Sequence, residues 1–338
     1  MLVPPEIAVL DVTASLGGTH IAAALAELGI ADAVGDRSMT AHQVCQQTGT
    51  DVHTTHRLLR AAVHYGLCTM DRRTGAVKLT RTGKVLSSDH RVTLREWATY
   101  MARMSTVEAW AGLTSSIKDG SSSFSAVHGM SVWDWFSRHP EDGQLFAAAM
   151  RQATRINSSV IAGAYPWPEG GTVCDVAGGI GTLIADIVEA SSGRLRGVLV
   201  DAPGVITEAA TYLEERGLSH RITCVVGDVF ADLHVGADVY VLKDVLHDWD
   251  DGQCRKILDT VASTMPRGSR IVLVEMVQEP NRLNALAPFI DLQMLTQTDG
   301  GRQRSLHELE SLLTGAGLRP TGKVRSASPH DLVEAVKP

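Results

Sequence analysis

A chain of 338 residues is too long for one typical domain and comfortable for two. With 44% hydrophobic and 20% charged residues it has an ordinary globular composition, and a net charge of -7 argues against general affinity for nucleic acid or an anionic membrane. The five cysteines (45, 68, 174, 224, 254) are scattered, odd in number and free of any C-x-x-C, which argues against a disulfide framework or a zinc site and for buried thiols in a reducing cytoplasm.

In chain order, the start Met-Leu-Val-Pro-Pro-Glu lacks the basic region and long apolar core of a secretory leader. No unbroken run of about 18 apolar residues follows, so no membrane span is expected. Ile7–Val34 has a helical pattern with Ile21, Ala24, Leu25 and Leu28 on one face and Gly29 as a stop or bend. So low a charge in a helix calls for burial, in its own chain or in a second subunit.

Thr40 and Asp51 can cap two short helices, Gly66 ends the second, and Cys68–Met70 can pair with Val77–Leu79 as a hairpin. This is a winged-helix pattern. Its second helix offers only Arg57 and Arg60 with three histidines, too little for a DNA-reading face, so a dimerisation or scaffold module is expected. Leu94–Ile117 reads as one helix, Gly120–Ser125 as a loop that is either a gate or a linker, and Val132–Phe136 and Gln144–Gly163 as further helices. Five of the six tryptophans lie between 97 and 167, which fits either a core or the lining of a pocket for a flat acceptor. Tyr165–Gly171, rich in Pro and Gly, reads as a linker, dividing the chain into 1–165 and 166–338.

Beyond it strands and helices alternate, the signature of a doubly wound α/β sheet with ligands at the carboxyl ends of its strands. The strands are expected at Thr172–Ala177, Arg196–Asp201, Ile222–Val226, Ala237–Leu242, Arg270–Glu275, about Gly322–Ser326, and Asp331–Val336. The last two read as a terminal hairpin with one antiparallel edge strand. After the first strand, Ala177, Gly178, Gly179 and Gly181 form a turn into a helix, and Asp201 ends the next strand. A glycine turn at a helix start, followed some twenty residues on by an acid suited to a ribose diol, implies a nucleoside-containing ligand. Asp228, Lys243 and Glu275 stand at three further strand ends, on the same rim. His247 follows in an apolar setting beside Asp248, and an imidazole oriented by a carboxylate takes a proton near pH 7. A metal reading of His-Asp-Trp-Asp-Asp lacks convergent ligands, and Asp250 has a capping role, so no metal is expected.

Leu242-Lys243-x-x-Leu246-His247-Asp248-Trp249-x-Asp251, Asp-Val-Ala-Gly-Gly-Ile-Gly, and Arg304-Ser305-x-x-Glu308 before Ala316-Gly317-Leu318 together resemble the S-adenosylmethionine-dependent O-methyltransferases of the caffeic acid O-methyltransferase type. The resemblance covers nearly the whole chain. It implies a class I methyltransferase domain with a winged-helix-like dimerisation domain, a homodimer, and methylation of phenols in secondary (antibiotic) metabolism. S-adenosyl-L-methionine would be the cofactor and S-adenosyl-L-homocysteine its product. By the same resemblance Ala177 to Gly181 would line the methionine and ribose, Asp201 the ribose hydroxyls, Asp228 and Val229 the adenine. Thr154 and Lys243 would face the methionine end, with Trp249 on the adenine. His247 would be the general base, flanked by Glu275 and Glu308, and Met150, Asp248, Asp291 and Met294 would contact the acceptor. The chain departs from the family at Ala177, where a glycine is usual, at Ser305 for threonine, and at Leu309 for tryptophan.

Other readings are a protein of the same fold and cofactor with decarboxylase, hydroxylase or cyclase chemistry, a winged-helix ligand-sensing regulator, and a dehydrogenase. Retention of His247 argues against the first and the missing basic face against the second. Lys243–His247 and Asp228 suit a methyl donor better than NAD.

Overall fold

The computed structural model describes residues 4–191, 193–231, 233–279 and 286–338. The chain divides into two units, one formed by Met1–Val107 with Phe136–Ala153 and the other by Glu108–Trp135 with Thr154–Pro338. The change of unit between Ala153 and Thr154 lies within a helix running from Pro140 to Ala164, and 165–170 leads into the first strand of the sheet.

In the first unit, α1 (Pro5–Glu27) and α2 (Ile30–Val34) are separated by Gly29, whose φ of 65° breaks the helix. The α3 helix (Ala41–Thr48) opens on a reciprocal capping box between Thr40 and Gln43, and α4 (Val52–His64) on Asp51, which accepts from Thr54 N at 2.9 Å. The strands β1 (Cys68–Met70) and β2 (Val77–Leu79) pair antiparallel as the wing. The short α5 (Arg81–Lys84) and α6 (Arg95–Met101) follow. Leu25, Ile30, Val44, Leu59 and Val77 make the buried centre of this winged-helix element. Tyr65 Oη donates to Ala14 O at 2.6 Å, and a Cβ on Gly18 would lie 2.7 Å from the Tyr65 ring, so a glycine there lets α1 approach.

The helix α1 is long and apolar enough to cross a membrane by length and composition alone, and 6% of its apolar window is buried in this chain. Asp, Gly, Ser and Thr interrupt the apolar run, as read from the sequence, without lowering its average apolarity below what such a segment needs. The single helix expected over Leu94–Ile117 is three: α6, α7 (Met104–Ala111) and α8 (Leu113–Asp119). Gly112 marks the second break, where a Cβ would lie 2.5 Å from Ser123 Cβ in α9 (Ser123–His128). The helices α10 (Val132–Arg138) and α11 (Pro140–Ala164) complete this region.

The second unit is built on a sheet. Its elements are β3 (Gly171–Val176), α12 (Thr182–Ala190), β4 (Leu195–Asp201), α13 (Pro203–Glu215), β5 (Ile222–Val226), β6 (Val239–Lys243), α14 (Asp251–Thr264), β7 (Arg270–Glu275), α15 (Ala287–Gln297), α16 (Leu306–Gly315), β8 (Arg319–Arg325) and β9 (Asp331–Val336). The strand order is β5-β4-β3-β6-β7-β9-β8, with the first five parallel. Along β6, Val239 and Val241 face one core with α12 and α13, and Tyr240 and Leu242 face the other with α14 and α16. Order reverses between β3 and β6, and that switch point opens the crevice at the carboxyl rim. The antiparallel strand is β9, one place in from the edge, and β8 is the edge. Polarity explains this correction: Leu332, Val333 and Ala335 of β9 are fully buried, whereas Arg319, Gly322, Lys323 and Arg325 keep β8 polar or bare.

Candidate active site

Chemistry collects at the carboxyl rim of β3, β4, β5, β6 and β7. After β3 the backbone takes positive φ at Ala177 (54°), Gly179 (61°) and Gly181 (83°). A Cβ at Gly178 would sit 2.4 Å from Asp175 Cγ and 2.6 Å from Leu199 Cδ1, so that position requires glycine. Nothing lies within 4 Å of a Cβ built on Gly179, which leaves open space over the turn. Gly179 N donates to Asp201 Oδ2 at 2.8 Å and Ala202 N to Asp201 Oδ1 at 2.7 Å. Burial raises the Asp201 carboxyl against these two bonds. Burial first, then the charge of Asp201, pushes the neighbouring Asp175 up to about 7.

Asp228 Oδ1 accepts from Phe230 N at 2.9 Å, which fixes the turn after β5, and Val229 packs against the core. Trp249 lies edge-on to Phe230 at 4.9 Å and stacks on Trp133 at 5.5 Å. Lys243 Nζ pairs with Asp244 and reaches Thr154 Oγ1 at 3.4 Å. These residues fit an adenosylated sulfonium amino acid. An uncovered glycine turn gives backbone access, Asp201 a diol partner, Trp249 and Phe230 an aromatic wall, and Lys243 a cation for a carboxylate. Thr182 Oγ1, at the start of α12, is buried without a partner among the described residues, as expected of a hydroxyl next to a polar ligand.

His247 lies on a short 3-10 turn, Leu246–Asp248, just past β6. Its Nδ1 meets Glu275 Oε2 at 2.9 Å, while Glu275 Oε1 accepts from Leu246 N at 3.0 Å. Its Nε2 is 3.5 Å from Asp248 Oδ1, and Nδ1 is 3.8 Å from Asp244 Oδ1. Burial pulls the His247 pKa down, but Glu275, Asp248 and Asp244 outweigh it and lift it to about 10. Burial pushes Asp248 up to about 7. Potential ligand atoms of Asp244, His247 and Glu275 lie within 4.8 Å of one another. Lys243, His330 and Leu246 N already satisfy those carboxylates without an ion.

Arg304, part of a sequence motif but without a role assigned there, holds this turn. Arg304, 3% exposed, donates to Leu246 O at 2.6 Å and Trp249 O at 2.7 Å, and binds Asp251 Oδ1 at 2.8 Å. A Cβ on Gly301 would lie 2.6 Å from His247 O, so glycine lets this segment close on the histidine. The expectation for Glu308 is corrected. Its Oε2 accepts from Ser305 N and Oγ at 2.8 and 2.7 Å, and its Oε1 from Arg302 at 2.6 Å. The Ser305 backbone bond leads the effects that push it down to about 2, so it is half of the α16 capping box and not a partner of the imidazole. Asp291, on α15, accepts from Gln303 N at 2.7 Å, and Met294 is buried on the same helix. Gln303 is 4% exposed with neither amide atom partnered among the described residues, a group no sequence motif flagged. Met150 belongs to the other unit, on the earlier part of α11.

A doubly wound sheet with a nucleoside-type turn and a carboxylate-held histidine defines a group-transfer enzyme of the methyltransferase class. The O-methyltransferase domain family matches residues 110–319 and the O-methyltransferase dimerisation domain family residues 19–89. The chain is 34% identical to O-demethylpuromycin-O-methyltransferase of Streptomyces alboniger over 317 residues, 91% of this chain and 83% of that one. Its fold is similar to that of LaPhzM, with a TM-score of 0.93, 28% identity, and coverage of 99% and 100% of the two chains. It is also similar to NcsB1, an O-methyltransferase of neocarzinostatin biosynthesis solved with S-adenosylmethionine and 2-hydroxy-5-methyl naphthoic acid, with a TM-score of 0.79, 31% identity, and coverage of 95% and 96%. The chain belongs to the S-adenosylmethionine-dependent O-methyltransferase family that carries its own dimerisation domain.

Proposed function

We propose that the protein transfers a methyl group from S-adenosylmethionine to a phenolic hydroxyl of an aromatic natural product, with His247 as general base, and that it works as a homodimer through its N-terminal helices. The observation that carries this reading is the 2.9 Å contact between His247 Nδ1 and Glu275. A proton held on Nδ1 by the carboxylate leaves Nε2 as the basic atom.

The bound sulfonium supplies an electrophilic methyl carbon. The acceptor oxygen would bond to that carbon while the carbon–sulfur pair left with sulfur, and His247 Nε2 would take the hydroxyl proton. Glu275 stabilises the imidazolium so formed. A phenol pKa of about 10 needs no stronger base. Alignment supplies much of the remaining acceleration, and Arg304 serves it by fixing the carbonyls on both sides of the histidine. The stacked Trp110 and Phe289, 5.4 Å apart, with Trp110 Nε1 held by Gln293 at 3.1 Å, favour a flat acceptor at α15.

The test is His247→Ala, assayed with hydroxylated naphthoates and benzoates. Calorimetric affinity for S-adenosylmethionine should be retained while turnover drops by roughly 10²–10⁴-fold. Full turnover in the variant overturns the assignment of the base.

A further inference from the structure

Asp244 is one of three non-glycine residues with positive φ among the described residues, at 54°. Aspartate enters that region more readily than most residues, and here its side chain is held on several sides. The surroundings here are three charged or titratable side chains. Lys243 Nζ pairs with Oδ2, His330 Nε2 stands 2.9 Å from Oδ1, and His247 Nδ1 is 3.8 Å from the same oxygen.

His330 comes from the turn between β8 and β9, 86 residues further along the chain, and is 1% exposed. Its other nitrogen meets Asn157 Nδ2, on α11, at 3.1 Å. An amide NH₂ only donates, so His330 Nδ1 accepts and the ring proton sits on Nε2, facing Asp244. His330 is thus a donor to Asp244 fixed from both sides, and its backbone is tied as well, with Ser326 Oγ donating to His330 O at 2.7 Å.

We propose that Asp244, held by His330 and Asn157, is a second positioning carboxylate for the catalytic histidine, and that this relay sets the proton affinity of His247. A negative charge 3.8 Å from Nδ1 favours the imidazolium. In the ligand-free protein this pull keeps His247 protonated at neutral pH, and the positive sulfonium of a bound donor would oppose it and free the base. Lys243 and His330 each occupy one oxygen of Asp244 and draw its charge away from His247. The other charged groups facing the imidazole are Glu275 and Asp248. Both the first-named and the relay-bound carboxylates act on the Nδ1 edge, so the Nε2 edge stays with Asp248 and the acceptor.

This inference rests on His247 being the base. Its test is the pH profile of kcat/KM for the acceptor, together with the ring ¹⁵N titration of His247 in the ligand-free protein, assigned by its loss in His247→Gln. Asp244→Asn removes the charge, and both the acidic limb and the ring titration should move to lower pH by about one unit, the low end for an opposite charge at this distance. His330→Ala frees the charge and should move both to higher pH. His330→Gln, whose amide can still donate to Asp244, should bring both back toward wild type. Lower activity with unmoved titrations in Asp244→Asn and His330→Ala leaves these residues as structural props and overturns the relay. If Asp244→Asn does not fold, the opposed His330 pair decides alone. An acidic limb that persists in the residual activity of His247→Gln sinks the base itself, an outcome distinct from failure of the relay.

Discussion

His247 in the ligand-free protein is more basic than an ordinary histidine, and this has a thermodynamic sign. Burial acts to lower its pKa, but Glu275, Asp248 and Asp244 raise it to about 10, above an unfolded value near 6.5. A raised histidine stabilises the fold fully below the unfolded pKa, and that contribution is lost as pH rises through the folded one. Wild type should therefore exceed His247→Gln in denaturant midpoint most at pH 6, with the difference shrinking by pH 10. A difference independent of pH would falsify the ion-pair reading. The two glutamates separate at the same scale. Glu275→Gln removes the group 2.9 Å from Nδ1 and should lower turnover and move the acidic limb. Glu308→Gln weakens the α16 cap, costing about 1 kcal/mol of stability, and should leave the pH profile in place. A shifted profile in Glu308→Gln would return that residue to the imidazole. Sequence made His247 and Glu275 legible because one follows a strand and the other ends the next strand in the sheet. It misplaced Glu308 because Ser-x-x-Glu is also a capping box. Asn157, His330 and Asp244 were invisible, since tertiary packing alone unites three segments so far apart in the chain.

Strands and caps were the most readable elements. Ile222–Val226, Arg270–Glu275 and Asp331–Val336 lie where alternation and turn residues put them, because buried strands with polar punctuation have few other solutions. Long apolar stretches misled instead. Leu94–Ile117 carries a continuous helical pattern, yet close approach at Gly112 breaks it, and the position of β9 inside the sheet depends on which strand of a hairpin is more apolar. The glycine turn contains positions that differ in what they tolerate. At Ala177 a φ of 54° shows that the first position tolerates a methyl group in the left-handed region. Gly178 is different: its φ is ordinary, but a methyl would press on Asp175 Cγ at 2.4 Å and Leu199 Cδ1 at 2.6 Å. Gly178→Ala should cost ~1–3 kcal/mol, the usual range for overpacking, and weaken S-adenosylmethionine binding with it. Ala177→Gly should leave binding close to wild type. Equal effects from the two changes would mean that steric approach is not what the turn requires.

The exposed face of α1 bears on the whole molecule. Ile7, Val9, Leu10, Val12 and Leu16 are 46–72% exposed on one chain, within a helix that buries little of its apolar surface there. Removing such side chains from water contributes ~1.5–3 kcal/mol each when burial is complete, so a helix that exposes apolar side chains around most of its circumference favours a partner. Two partners suit an apolar helix: a second copy and a lipid bilayer. The match of residues 19–89 to a dimerisation domain favours the second copy, as does the net charge of -7, which gives no attraction to anionic headgroups. Sedimentation at micromolar concentration should show a dimer. Val12→Glu with Leu16→Glu should shift it toward monomer, because charges on that face would have to be desolvated at the interface. A wild-type monomer that co-sediments with neutral phosphatidylcholine vesicles, with the same double variant abolishing co-sedimentation, would assign the face to lipid. Because the residues proposed for the cofactor site, Thr154, Ala177–Gly181, Asp201, Asp228, Lys243 and Trp249, all belong to the second unit, S-adenosylmethionine binding should survive the double variant. Loss of binding together with the dimer would mean that the second unit holds its cofactor crevice open only when the first is paired.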